Sequence, residues 1–450
     1  MKVVIIGGGE VGFHVAKALS EEDYDITVID IDPSKCKRAS ESIDVIVVNG
    51  NGASPETLLK ADIGNANYVV CCTRIDEVNL IAAQQAHELG AGKIIARLRN
   101  QQYTSKGSII RPEKFGVDIV IHPEKAAATE IARLVHHPYA VQAMEFEAGK
   151  LKMLGINITK KSVNIMDKTI SQICIENEHF RFAVIAVLRG QKTIIPKANF
   201  YFKEGDIAYF VLKSSQLKDL LNLLEKKITS VKKVMIVGGS KMGRALSKEL
   251  HAEDIQVRLV DYDRSKAGHI SHQIEDVMVI YGDGTDIEFL KSENIQEVDS
   301  FIAVTENEKT NLISGLLAKH LGAKQSIIHV VTTEFIPTIQ EIGAGAVISK
   351  NLSTVNAILQ QLHSDESEVP IATFDEIDVD VMEFQPEYGS PITKKPIRDL
   401  PIPEDSIIGM INHHGKIKIA NGESILSDDD IALVFAKANT IPKLKKLFMA

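Results

Sequence analysis

The chain contains no tryptophan, and aromatic residues fill only 5% of its 450 positions. Its four cysteines, Cys36, Cys71, Cys72 and Cys174, form no C-x-x-C pair. Cys71 and Cys72 are adjacent in a predicted strand, so their side chains point to opposite faces and cannot easily share one metal. They read as small buried apolar residues in a reducing compartment, with no metal site expected. No dense Lys/Arg block occurs and the net charge is −9, which argues against nucleic acid, whose phosphates need a basic face. No apolar run approaches the ~20 residues that a membrane helix needs. "FAVIAVL" (Phe182 to Leu188) is among the longest, and Arg181 and Arg189 bracket it. The opening "MKVVIIGGG" reads as a strand and a turn rather than a signal peptide, so a cytosolic protein is expected.

What the chain does have is repetition. "VVIIGGGEVGFHVAKAL" returns near the middle as "VMIVGGSKMGRALSKEL". Gly12 and Gly243 stand 231 residues apart, as do Asp30 and Asp261, while Asn79 and Asn311 stand 232 apart. "HELGAGKII" (His87 to Ile95) returns as "KHLGAKQSII" (Lys319 to Ile328). So long a period marks duplication of a whole domain, not a solenoid. Further on, "KTISQI" matches "KPIRDL" and "GDIAYFVL" matches "DDIALVFA". The repeated unit is therefore a large domain followed by a small one.

Within the first large domain, residues 2–6, 25–30, 44–48, 67–72, 93–98 and 117–121 are short, β-branched and apolar. Amphipathic stretches such as "EVGFHVAKALSEE" lie between them. That alternation predicts a parallel sheet with helices on both faces. The small domains read as α+β with hairpins: a turn at Arg189-Gly190-Gln191, and its echo at Gly415. The fold class is thus α/β, two Rossmann-like parallel-sheet domains, each followed by a small α+β domain, in tandem duplication. The domains read as residues 1–136, 137–226, 231–362 and 368–450. "SSQLKDLLNLLEKKITSVKK" joins the halves, and the acidic "HSDESEVP" (His363 to Pro370) marks the last boundary.

Gly7, Gly9 and Gly12 spell G-x-G-x-x-G after a strand and at the start of a helix that begins with Glu10 and Val11. Asp30 ends the next strand about twenty residues later, the context that strengthens an otherwise weak motif. Gly7 permits the tight turn, Gly9 lets backbone approach a pyrophosphate, and Gly12 lets helix pack on strand. The free amides of the helix start face phosphate oxygens. Asp30 can accept ribose hydroxyls and would repel a 2′-phosphate, which favours NAD(H) or an adenine nucleotide over NADP(H). The bland alternative is a tight turn with no ligand. In the second copy, Gly238, Met242, Gly243 and Asp261 are kept or matched, but Ser240 stands in the place of Gly9. Its side chain should crowd the closest phosphate approach, although its hydroxyl could donate a hydrogen bond, so a second site is expected to be empty, weaker or differently selective.

Other repeated polar positions fall at predicted strand ends, the edge where such sheets bind ligands. "NGNGA" matches "YGDGT", setting Asn51 against Asp283. Thr73 matches Thr305 at the end of the fourth strand. Arg97 ends the fifth strand, where the second half has His329. Arg97 reads either as a phosphate countercharge or as a solvated surface arginine.

These residues resemble the RCK, or KTN, family of cytosolic nucleotide-sensing domains that regulate potassium channels and transporters. The likeness is carried by "IIGGGEVGFHVAKAL", "VID", "NGNGA", "ARLRN" and above all "DIVIHPEKAAATEIA", and the tandem order covers nearly the whole chain. The resemblance implies NAD(H), ATP or ADP as ligand, held at Gly7, Gly9, Gly12, Asp30 and Asn51, with Arg97 approaching phosphate. It also implies that Glu124 lies near the phosphates or a cation at a dimer interface. The second half has "VISKNLSTV", with Ser349-Lys350-Asn351 where His122-Pro123-Glu124 stand, so any role of Glu124 should be missing there. Family members assemble rings. The expected assembly is a homotetramer docked under a TrkH-like membrane potassium-transporter subunit, at the inner face of the membrane.

Two rivals stand against a regulator. An NAD-dependent oxidoreductase would need a proton-transfer residue beside the nicotinamide. His122, His136, His137, His413 and His414 are the candidates, but no repeated acidic partner pairs with them in the sequence, and the small domains look too short for a catalytic domain. A redox sensor acting on DNA is opposed by the acidic balance and the lack of a helix-turn-helix. The chain therefore reads as no enzyme.

Overall fold

The computed structural model describes residues 1–20, 24–105, 107–146, 149–190, 192–226, 230–363, 370–374 and 379–449. The first half runs β1 (Lys2–Ile6), α1 (Glu10–Ser20), β2 (Asp25–Asp30), α2 (Pro33–Ser42), β3 (Ile46–Asn49), α3 (Pro55–Lys60), β4 (Tyr68–Cys71), α4 (Asp76–Glu88), β5 (Lys93–Arg97), β6 (Ile119–Ile121) and α5 (Pro123–His136). The small domain follows as β7 (Gln142–Phe146), β8 (Leu151–Asn157), α6 (Ile170–Glu176), β9 (Phe182–Arg189), β10 (Lys192–Ile194), β11 (Ile207–Lys213) and α7 (Leu217–Leu223).

The second half repeats the plan with β12 (Lys233–Val237), α8 (Lys241–Ala252), β13 (Gln256–Asp261), α9 (Arg264–Gln273), β14 (Met278–Tyr281), α10 (Ile287–Ser292), β15 (Ser300–Ala303), α11 (Glu308–His320), β16 (Gln325–Val330), α12 (Ile336–Glu341), β17 (Ala346–Ser349) and α13 (Lys350–His363). Its small domain comprises β18 (Pro370–Phe374), β19 (Val379–Phe384), β20 (Ser406–His413), β21 (Lys416–Ile419), β22 (Asp430–Ala436) and α14 (Ile441–Phe448).

Both large sheets are parallel, in the orders β3-β2-β1-β4-β5-β6 and β14-β13-β12-β15-β16-β17. In β1, Val3, Val4, Ile5 and Ile6 are all fully buried, because helices cover both faces and leave no side for polar alternation. Strand order reverses between β1 and β4, and between β12 and β15. In open sheets of this kind, ligands bind beyond the carboxyl ends of the strands at such a switch point. The small sheets are antiparallel, ordered β10-β9-β11-β8-β7 and β18-β19-β22-β20-β21. The expected fold class is the one found.

The β20–β21 hairpin turns at His414 and Gly415, both at positive φ as a two-residue turn of this hand requires. Of the Arg189-Gly190-Gln191 turn, Gln191 lies outside the described residues. So do residues 227–229 of the stretch joining the halves, and 364–369 of "HSDESEVP".

The chain divides into two compact units, one holding Met1–Ala127 and the segment that starts at Lys350, the other Ala128–Ser349 and the segment that starts at Pro370. In the first, α13 closes the face of the sheet behind α1. Val355, Ile358, Leu359 and Leu362 share a core with Val3, Ile5, Val15 and Leu19. Burying each such side chain contributes about 1.5–3 kcal/mol. From sequence, 231–362 reads as one domain; in the structure its last helix belongs to the first unit's core.

In the second unit, the end of α5 lies on the second large domain. The carbonyl of Leu134 accepts from Gln325 Nε2 at 2.9 Å, and His136 Nε2 meets Glu253 Oε2 at 2.8 Å. Ile185 and Tyr209 of one small sheet share an apolar cluster with Val381, Met410, Leu433 and Phe435 of the other.

Candidate nucleotide-binding site

The first cradle sits at the switch point between β1 and β4. Gly7 has φ +111°, and a Cβ there would lie 2.9 Å from the Thr73 nitrogen. A Cβ on Gly12 would fall 1.8 Å from the Gly7 carbonyl oxygen, so only glycine lets α1 come this close. A Cβ on Gly9 would meet nothing within 4 Å: it would project into open space before the helix start. Val11 is buried in the core, and as a first-turn residue of α1 it has an amide with no intrahelical partner. The Glu10 carboxylate is held by Arg38 Nη1 at 2.6 Å, and Arg38 lies over the Phe13 ring at 4.1 Å. Asp30 is 8% exposed. Its Oδ2 accepts the Gly8 amide at 2.7 Å and its Oδ1 the Asp32 amide at 2.8 Å, with Lys35 Nζ at 3.6 Å. The carboxylate thus both shapes the loop and keeps acceptor capacity at its mouth.

At the ends of β4 and β5 the side chains form a clamp. Fully buried Asn79 takes the Thr73 amide at 2.9 Å and its hydroxyl at 2.6 Å, and donates to the carbonyls of Thr73 and Arg97 at 3.2 and 2.8 Å. The hydroxyl of Thr73, read from sequence as a site group, is spent on this clamp. Asp76 takes the amides of Arg99 and Asn100 at 2.9 and 2.7 Å, fixing the turn after β5. Neither Asn79 nor Asp76 was singled out as a site group from sequence, although the Asn79–Asn311 repeat pointed to the first.

Arg97 is 9% exposed, which removes the solvated-surface alternative. Among the described residues its guanidinium makes one long hydrogen bond, Nη1 to the Thr73 carbonyl at 3.4 Å, and its Nε has no partner. Burial pulls its pKa below the ordinary arginine value. A buried guanidinium with an orphaned donor fits an anion, since leaving it unpaired is costly. The residues present therefore suit the phosphates of a nucleotide. Glu124 follows β6 at the start of α5, 6% exposed, with Arg99 Nε at 3.7 Å and Lys350 Nζ at 3.5 Å from its Oε1.

The second copy repeats the backbone and changes the chemistry. Gly238 has φ +116°, and a Cβ on Gly243 would lie 2.0 Å from the Gly238 oxygen. The Ser240 Oγ turns inward, accepts the Gly243 amide at 3.2 Å and donates to the Val304 carbonyl at 3.0 Å. It caps α8 and consumes a first-turn amide. Met242 is buried. Asp261 is 2% exposed, takes the amides of Gly239 and Asp263 at 2.8 and 3.0 Å, and pairs with Lys266 Nζ at 2.8 Å. Ile270 is set against Gly239, where a Cβ would meet its Cδ1 at 2.3 Å. Ile270 stands 231 residues after Ala39, a difference visible in the sequence but without meaning until the packing is seen. Thr305 is clamped by Asn311 as Thr73 is by Asn79.

Asn51 and Asp283 are exposed and build turns of their own. Asn51 Oδ1 accepts the Ala53 amide at 3.0 Å, and Asp283 Oδ1 accepts from Thr285 at 2.8 and 2.7 Å. Cys36, Cys71 and Cys72 are buried free thiols, and burial pushes Cys72 up to about 12.

Three of the five candidate histidines have acidic partners, none of them a histidine–carboxylate pair repeated between the halves: His136 with Glu253, His413 Nδ1 with Asp430 at 2.8 Å, and His414 with Asp429 at 3.9 Å. At the place of His413–Asp430 the first small domain has a bidentate Arg189–Asp206 pair, both contacts at 2.8 Å, so the position is a clamp between strands. His122 is held between the Leu98 carbonyl and the Thr104 hydroxyl. Among the described residues no group of three or more His, Cys, Asp or Glu could hold a metal ion, and no helix is long and apolar enough to cross a membrane.

The TrkA-N domain matches residues 3–123 and 234–350, and the TrkA-C domain matches 154–225 and 381–449. The chain belongs to the TrkA family. TrkA relatives match over full length. The Trk system potassium uptake protein TrkA homolog 1 of Methanosarcina mazei is 31% identical over 460 residues, covering 100% of each chain. The TrkA homolog of Archaeoglobus fulgidus is 30% identical over 448 residues with the same coverage. Vibrio alginolyticus TrkA is 28% identical over 440 residues, covering 97% of this chain and 95% of that one. Among solved structures, the GsuK RCK domain superposes with a TM-score of 0.57 at 18% identity, covering 99% of this chain and 94% of its own. The GsuK channel bound to NAD gives 0.57 at 17% identity, covering 99% and 78%. This TrkA-family chain shares the RCK fold.

Proposed function

We propose that the first-half cradle binds NAD(H), with ATP or ADP as competing ligands, and that its occupancy gates potassium uptake by a TrkH-like membrane subunit. Gly7, Gly9, Glu10, Val11 and Gly12 would present the helix-start amides to the diphosphate, Asp30 and Asn51 would hold ribose, and Arg97 would meet phosphate charge, with Thr73 and Glu124 at the same edge. Gly238, Ser240, Met242, Gly243, Asp261, Asp283 and Thr305 would form a weaker second site. The chain would work as the sequence domains 1–136, 137–226, 231–362 and 368–450, with α13 of the third completing the core of the first, in a cytoplasmic homotetramer peripheral to the membrane, with no catalytic step. The observation that carries this reading is the buried Arg97 with its unpartnered Nε beside an open glycine cradle. A ligand shifts a gate only by its differential affinity for two states, and a hundredfold difference supplies about 2.7 kcal/mol.

Calorimetric titration with NAD, NADH, ADP and ATP tests the binding. Saturable binding that Arg97→Gln weakens is expected, whereas heat no greater than dilution for all four would overturn the reading. Nucleotide-dependent ion flux through a co-purified transporter tests the regulatory half.

A further inference from the structure

The first-half site contains a cation that the second half supplies. Lys350 opens α13, directly after β17, yet its Nζ stands 3.5 Å from Glu124 Oε1 within the first unit. Glu124 is a buried carboxylate placed within electrostatic reach of Arg97, the group left unpaired for an anion. Alone, Glu124 would cancel the Arg97 charge and repel any phosphate brought there. Arg99 at 3.7 Å and Lys350 at 3.5 Å both meet that carboxylate at Oε1. The two halves differ where this matters: the second half has Asn351 at the place of Glu124, with no carboxylate to neutralise.

We infer that Lys350 acts on the first nucleotide site through Glu124, neutralising that carboxylate so that the charge of Arg97 is left for phosphate. The inference rests on the nucleotide reading above. It adds that affinity at the first site depends on a residue of the second half, which makes the crossover helix an input to binding as well as a packing element.

The test compares wild-type full-length chain with Lys350→Met, Glu124→Gln, the double variant and Lys350→Arg, titrating AMP, ADP and ATP. Lys350→Met should weaken ATP by roughly tenfold, a usual size for coupling between sites, and AMP by less. Lys350→Arg should keep wild-type affinity. Glu124→Gln added to Lys350→Met should bring ATP affinity back to within about twofold, because the unpaired carboxylate is gone. A purely structural role for Lys350 would lower all three nucleotides equally and would not be rescued by Glu124→Gln; that outcome overturns the inference, as does unchanged ATP affinity in Lys350→Met. If Lys350→Met melts early, Lys350→Gln and the double variant give the same comparison. A wild-type chain that binds no nucleotide would sink the functional reading itself, a result distinct from wild-type binding that Lys350 does not influence.

Discussion

Ser240 Oγ accepts the amide of Gly243 while donating to the carbonyl of Val304, so the second glycine-rich loop is capped by its own side chain. The two pockets thus differ less by bulk than by which groups are already satisfied. Ser240→Gly should release the amide and raise nucleotide stoichiometry per chain. Its stability cost should be a few tenths of a kcal/mol, against about 1 kcal/mol for Ser240→Ala, which also loses the cap. Calorimetric stoichiometry and urea midpoints measure both effects. No change in stoichiometry would point to Ile270 and Lys266 as the closing groups.

Asp30→Ala should weaken NADH or ATP by about ten- to hundredfold, since it removes a charged acceptor and unties the Gly8 amide. Asp261→Ala should barely alter total binding but should lower the melting temperature, because Lys266 and the Gly239 amide lose their partner. Equal losses of affinity in the two variants would contradict the asymmetry.

His137 is buried at the end of α5, its Nδ1 on the Tyr139 hydroxyl at 2.8 Å and its Nε2 near Lys152 Nζ at 3.1 Å. Burial first, then Lys152, pulls its pKa from 6.5 to about 4. The unfolded chain therefore binds a proton that the folded chain refuses between those values. Stability should fall as pH drops from about 6.5 toward 4 and then level for this group. Thermal melts across that range should show a shallower slope in His137→Gln. An identical slope would place the acid sensitivity in another group. Burial raises the Asp261 pKa, but Lys266 and two amides outweigh it and leave it below the usual carboxylate value. Its contribution is lost only at still lower pH.

Leu359→Ala in α13 should destabilise the first unit by about 2–5 kcal/mol, the range for truncating a fully buried leucine. The shift should appear in the urea transition that reports on nucleotide binding. Destabilisation confined to a transition without that link would show that α13 does not complete the first core.

Much of this architecture was legible because period and punctuation are local. Strands such as "KVVII" announce themselves by unbroken burial on both faces, and Asp30 and Asp261 by their place at strand ends. The chemistry of Arg97 was half legible: its position suggested phosphate, but only packing shows that the guanidinium is buried with an orphaned Nε. The inward turn of Ser240 depends on the Val304 carbonyl, 64 residues away. The partners of His413 and the destination of α13 are likewise set by contacts between distant segments, which a reading of neighbours along the chain does not reach.

The traded helices also constrain how such a protein can be cut or built. A fragment ending before Lys350 would leave the apolar wall behind α1 bare, and a fragment holding only the later repeat would carry that wall's cover with nothing to lay it on. Separate halves should therefore be sticky alone and should reassemble when mixed. Two identical single-repeat chains could make the same exchange with each other, forming a two-fold pair. Fusion into one polypeptide makes the partner permanent and frees the two copies to diverge, one keeping an open cradle and the other closing over its own.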